Sequence, residues 1–389
     1  MLIPLHCFRM FRLAFSVVFL FAGLSSSYGQ WEIEESHTTA DLRGIANVGQ
    51  GIAWASGTQG TVLRTTDDGK DWQHCTTPPD AEKLDFRGIQ AFDQNTAIVM
   101  SSGKGDLSRL YKTTDACKTW KLVFTNPDKE GFWDAINFVG KTNGTLLGDP
   151  VNGYFSIFET QDGGLHWDRQ KNVGASVPFA SAGVPLGGVV FAASNSSLVQ
   201  HDGAQVFGIG GPQGAFAYYR GIKTIECPPR VQNRDDCKFF WNSVLMPPGI
   251  RWPVNSRTNS AGVFSLAIRP GRSIDASVIV AVGGDYLKPD KQSDTATRSV
   301  NGGQLWTAAQ TPPHGYRSAV AYDAKTKTWI TVGPNGTDIS RDDGKNWTPL
   351  KPTAQDPPDA DKNWNALSLP FVVGPHGRIG KLNAKTLAP

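Results

Sequence analysis

Much of what usually signals chemistry is missing from this 389-residue sequence. It has no Gly-x-Ser-x-Gly elbow, no His-Glu-x-x-His pair and no calcium-loop pattern, which removes the commonest hydrolase, zinc-protease and calcium-binding signatures. Its seven histidines are scattered and no cysteine has Cys-x-x-Cys spacing, so no metal and no cofactor is expected. GIGGPQG (208–214) has the wrong spacing for a dinucleotide loop, and strand-forming AFAYY follows where a helix would be needed. An excess of one charge is missing too, with 38 basic against 35 acidic residues, so nothing points to nucleic acid. Long helical patterns are absent.

Apolar runs are short, and the longest opens the chain. Arg9 and Arg12 precede Leu13 to Leu24, and Ser27 and Gly29 are the small residues a signal peptidase reads. A run of twelve is too short to span a bilayer, so residues 1–29 read as a signal peptide and 30–389 as the exported chain, periplasmic or secreted, with no membrane span. Cys7 leaves with the signal. Of the four cysteines that remain, Cys227 and Cys237, ten apart in a Pro-rich stretch, are the favoured disulfide; Cys75 with Cys117 is a second pair or two free thiols.

What the sequence has is glycine (42), tryptophan (12) and a repeat. TTDDGKDW (65–72) returns as TTDACKTW (113–120), TQDGGLHW (160–167), SVNGGQLW (299–306) and SRDDGKNW (340–347). The template is Ser/Thr, any residue, Asp/Asn, any residue, Gly, two more, then Trp, with Cys117 the sole exception at the glycine. Asp67, Asp115 and Asp162 are spaced 48 and 47 apart, and Asn301 and Asp342 are spaced 41 apart, a period that signals repeated supersecondary units.

This octet is similar to the Asp-box, or BNR repeat, of β-propellers. That resemblance implies a turn between the third and fourth strands of each blade. In it Asp67, Asp115, Asp162, Asn301 and Asp342 bond the turn's own N–H groups, while Trp72, Trp120, Trp167, Trp306 and Trp347 wedge between sheets.

Two further elements occur seven times each. Glycine turns follow short apolar runs: SGTQG (56–60), SSGKG (101–105), GDPVNG (148–153), GGPQG (210–214), GGDY (283–286), GPNG (333–336) and GPHG (374–377). Blade openings are LRGI (42–45), FRGI (86–89), FWDAI (132–136), FAASNS (191–196), VFSLA (263–267), YRSAV (316–320) and NWNAL (363–367). The expected fold is all-β, one seven-bladed propeller of four-stranded blades. Blade seven ends three strands in, and WEIEES from Trp31, which resembles the post-box strands, supplies its fourth. In blade four an insertion at 221–260 sits where the box belongs. QHDGAQVF (200–207) is a turn between that blade's first two strands.

Five boxes spread round a rim are structural, so the candidate binding face is the opposite one. Strand alternation brings the openings and glycine turns together there. Arg43, Arg87 and Arg317 are expected at matching positions in blades one, two and six, with Trp133, Asp134, Asn195 and Trp364 on other blades and Asp149 and Asp285 in the turns above. The partner is a protein, or an anionic or glycan ligand, bound by a monomer.

The RGI openings combined with SGTQGTVLRTTDDGKDW resemble the photosystem II stability/assembly factor family. That resemblance implies a propeller that binds proteins during complex assembly without catalysis, in a translocated compartment, with arginines such as Arg43 and Arg87 on one face. The rival class is a glycoside hydrolase, sialidase-like or xyloglucanase-like, with Asp134 and Asp149 as acid and base. The sialidase Arg-Ile-Pro motif is missing.

Overall fold

A computed structural model describes residues 29–170, 187–226, 238–242 and 257–387. Seven antiparallel sheets of four strands each are formed. Their first strands touch in sequence order and the last touches the first, so the sheets close into a ring. The blades span residues 42–74, 86–125, 133–169, 198–242, 261–308, 319–349 and 366–382. All seven glycine turns lie between second and third strands, as their composition predicts. Asp202 and Gly203, both at positive φ, make the tight turn between the first two strands of blade four.

The boxes are turns that satisfy themselves. In each, the leading hydroxyl accepts the N–H four residues on: Thr65 from Gly69, Thr113 from Cys117, Thr160 from Gly164, Ser299 from Gly303 and Ser340 from Gly344. The Asp or Asn oxygen then accepts the N–H four further along, as Asp67 does from Asp71, Asp115 from Thr119, Asp162 from His166, Asn301 from Leu305 and Asp342 from Asn346. The acids are thereby committed to their own backbone.

Box tryptophans fill the spaces between blades. One hydrophobic cluster lies at each of the seven interfaces. Trp72, Trp120, Trp167, Trp306 and Trp347 each pack against the preceding blade. Trp31 does the same at the interface of blades six and seven although it has no box. At the interface of blades three and four the wedge is replaced by Phe155, Phe207 and Tyr218, with ring centroids 4.8 to 5.4 Å apart.

Closure follows the expected scheme. Trp31–Glu34 pairs antiparallel with Ile379–Leu382 as the outer strand of blade seven. At this seam Glu34 accepts the Trp72 indole N–H at 2.8 Å, with Lys381, Glu32 and Asp68 as its charged neighbours. Burial, the largest influence, pushes its carboxyl from the ordinary 4.5 to about 7. Because the folded value is the higher one, this group's contribution is fully present below pH 4.5 and is lost as pH rises through 7. Glu34→Gln should therefore flatten the stability profile between those values, by on the order of 1 kcal/mol after allowing for water around a half-buried group. Melts at pH 5 and pH 8 read this directly, and an unchanged difference between them would remove Glu34 as its source.

One open alternative is decided and one boundary moves. Cys75 and Cys117 form a disulfide, with Cα atoms 5.3 Å apart, between the end of blade one and the box of blade two. Cys227 and Cys237 lie outside the described residues. The stretch from 221 is also not wholly an insertion: the third strand of blade four continues to Glu226 and pairs with Lys238–Asn242, which is the blade's outer strand.

Candidate functional site

At the face opposite the boxes, each first strand begins beside the end of its second strand, and crowding there sets the phase. A Cβ on Gly57, Gly148, Gly283, Gly333 or Gly374 would lie 2.0 to 2.4 Å from the carbonyl oxygen of Asp41, Phe132, Gly262, Tyr316 or Asn363. The residues that follow those carbonyls are therefore equivalent: Leu42, Trp133, Val263, Arg317 and Trp364, all at most 1% exposed. Phe86 holds the place in blade two. One residue later the strands bulge, at Arg43, Arg87, Asp134 and Phe264. The bulge turns that side chain toward the mouth.

Arg317 is thus one residue out of phase with Arg43 and Arg87, and the expected match fails. It occupies the core position. Its Nε donates to Asp338 Oδ2 at 2.9 Å, its Nη2 also reaches that carboxylate, and its Nη1 donates to Asn335 Oδ1 and Tyr316 O. His314 Nδ1 lies 2.8 Å from the other Asp338 oxygen. Burial works to raise the Asp338 carboxyl, but His314 and Arg317 outweigh it and hold the group below its usual range.

Trp133 and Trp364 belong to the core, not the mouth. Trp133 stacks on Phe124 at 5.2 Å and Trp364 on Trp31 at 5.9 Å. Asp285 is buried and engaged in its own turn, accepting from Ser260 Oγ at 2.6 Å and Leu287 N–H at 3.1 Å. All three side chains are buried.

Blade four departs most from expectation. FAASNS forms no opening strand: Asn195–Ser197 is a 3-10 turn, and the strand starts at Leu198. Ser194 accepts the Ser196 N–H, the local bonding that small polar residues offer in place of a ladder. The segment crosses the mouth. Phe191 stacks on Phe264 of blade five at 4.0 Å, Ala192 O faces Arg87 Nη1, and Asn195 Nδ2 donates to Ile89 O of blade two at 2.6 Å. Beneath it lies a cavity of about 180 Å³ lined by Asn137, Ser194, Asn195, Ser196 and Ser368 among others.

Asp149 Oδ1 holds this crossing segment through the Val190 N–H at 2.9 Å, and burial pushes its carboxyl up to about 6. Asp134 beside it is 1% exposed, and neither oxygen has a hydrogen-bond partner among the described residues. Burial first, then the Asp149 charge, pushes it well above the usual range, with Arg87 partly offsetting both.

Of the three expected arginines, Arg43 and Arg87 are the two that remain partly accessible. Both side chains are 30% exposed and both flank Asp85, a residue absent from the expected set. Its position immediately before FRGI was the available signal. No group of three or more His, Cys, Asp or Glu able to hold a metal occurs among the described residues, and no helix there is long and apolar enough to cross a membrane.

Residues 23–170, which include the first three blades, match the family model described as Photosynthesis system II assembly factor YCF48. Among solved structures, YCF48 bound to a D1 peptide is similar over 92% of this chain and 97% of its own, at 16% identity and a TM-score of 0.59. YCF48 from Cyanidioschyzon merolae gives 17% identity, 92% and 99% coverage and the same TM-score. The GH74 xyloglucanase from Xanthomonas campestris gives 15% identity over 92% of this chain but 54% of its own, at 0.54. At such identities the likeness shows the fold, and no curated protein matches by sequence. The chain is an Asp-box β-propeller resembling the photosystem II assembly factor family.

Proposed function

We propose that this protein is an exported, non-catalytic propeller that binds a segment of a partner protein at the mouth opposite its boxes, as an assembly or stability factor. The observation that carries this reading is the pair Arg43 and Arg87, half-exposed on adjacent blades within the stretch that matches the family model. A solved YCF48 binds a D1 peptide, which supports the class of ligand. Export is supported by the leader pattern and by the Cys75–Cys117 bridge, which suits an oxidising compartment.

The hydrolase alternative needs Asp134 and Asp149 to reach a sugar, and the burial of Asp134 opposes it. A test sets the two readings against each other. Arg43→Ala with Arg87→Ala should abolish capture of the partner from periplasmic or secreted extract while leaving the melt unchanged. Capture that survives the double change rules out this mouth, and glycan turnover that disappears in Asp134→Ala would replace binding with hydrolysis.

A further inference from the structure

Asp85 stands between arginines of two neighbouring blades. Its Oδ2 accepts the Arg87 Nε–H at 2.8 Å, and its Oδ1 lies 3.3 Å from Arg43 Nε. Arg87 is therefore held by its Nε edge through a hydrogen bond, whereas Arg43 Nε faces the same carboxylate as an ion pair without hydrogen-bond geometry. The Nη groups are only loosely engaged: Arg87 Nη1 is 3.4 Å from Ala192 O and Arg43 Nη2 is 3.9 Å from Asp41. No hydrogen bond within the described residues reaches Arg87 Nη2 or Arg43 Nη1. The place of Asp85 is set by its backbone, whose carbonyl accepts the Ser102 N–H, and its side chain adds nothing to the ladder.

A carboxylate between two binding arginines is a liability by Coulomb's law alone, because it lowers the positive potential that an anion meets. It is useful only if orientation is worth more than charge. Arginine carries about 2 kcal/mol of rotamer entropy, and a side chain already held by Nε loses less of it when its Nη groups take up a ligand. We propose that Asp85 is a positioning residue that makes Arg43 and Arg87 one fork for an oxyanion, the carboxylate of a partner peptide. This rests on the mouth being the binding face.

The sign of one substitution decides it. Asp85→Asn keeps the shape but removes the charge and one acceptor, and Asp85→Ala removes both acceptors. The probe is an alanine–glutamate decapeptide with a free C-terminal carboxylate, compared with its amidated form. It is titrated into the full chain while the Nε–H signals of Arg43 and Arg87 are followed by NMR. Both signals should shift together, and both Asp85 variants should weaken binding about tenfold with unchanged melts, as expected for one lost charge-assisted bond. Retained binding on amidation assigns the fork to side-chain carboxylates and lost binding to the terminal one; either supports it. Variants that bind as well as wild type, or more tightly, overturn it, as does a wild type in which only one arginine signal moves or neither does. If the Asp85 variants leave affinity unchanged while Arg43→Ala with Arg87→Ala abolishes partner capture, the fork falls and the binding face stands.

Discussion

Arg317→Ala will lose about 3–5 kcal/mol of stability, the usual cost of leaving one member of a buried ion pair without the other. Arg317 is fully buried and Asp338 is 1% exposed, so no water can take over what the guanidinium does. Asn335 Oδ1 and the Tyr316 carbonyl lose a donor at the same time. Replacing both charges, as Arg317→Met with Asp338→Leu, should recover part of the loss, because the two apolar side chains need no partner while Asn335, the Tyr316 carbonyl and His314 stay without theirs. Denaturant melts of the three proteins check this. A single variant that melts with wild type would mean the pair contributes nothing. The double variant should also keep its protein partner, since Arg317 faces the core and not the mouth.

Opening the Cys75–Cys117 bridge will cost about 4 kcal/mol by the chain-entropy estimate for a loop closed across 42 residues of sequence. Cys75→Ser with Cys117→Ser, compared with wild type in non-reducing melts, gives the number. The position of Cys117 adds a second reading. Its φ of 58° lies in the left-handed region, where Gly69 and Gly164 stand in the neighbouring boxes at 89° and 85°. Without the bridge the side chain has no compensation for that conformation, so Cys75→Ser with Cys117→Gly should be more stable than the double serine variant by about 1 kcal/mol. If glycine gives no gain, the backbone strain at this turn has been overestimated.

The fold was legible because its signals are local. A glycine turn or an Asp-box is determined within eight residues, and counting them yields blades, closure and the two sheets without a box. The mouth was less legible because it depends on phase. LRGI, FRGI and WDAI align with RSAV, not with YRSA: in each, the third residue is small (Gly44, Gly88, Ala135, Ala319) and the fourth is a buried aliphatic (Ile45, Ile89, Ile136, Val320). Reading the small residue first would have put Arg317 in the core. Asn195 was expected on the opening strand of blade four; its route across to Ile89 comes from tertiary contact that no local pattern encodes. The bridge was half visible, since the one box without its glycine has a cysteine there.

Closure by the first strand has a kinetic consequence. Trp31 pairs with Leu382, so the two strands that close the ring are separated by every other blade in the order of synthesis. A contact of such high order forms slowly, and until it does Trp31 and Trp364 have no stacking partner and blades six and seven share an unfinished core. The ring therefore cannot close before residues 379–382 have been made. Until then the apolar interface of blades six and seven stays open to solvent, which makes this seam the place where an unfinished ring is most prone to associate with other chains.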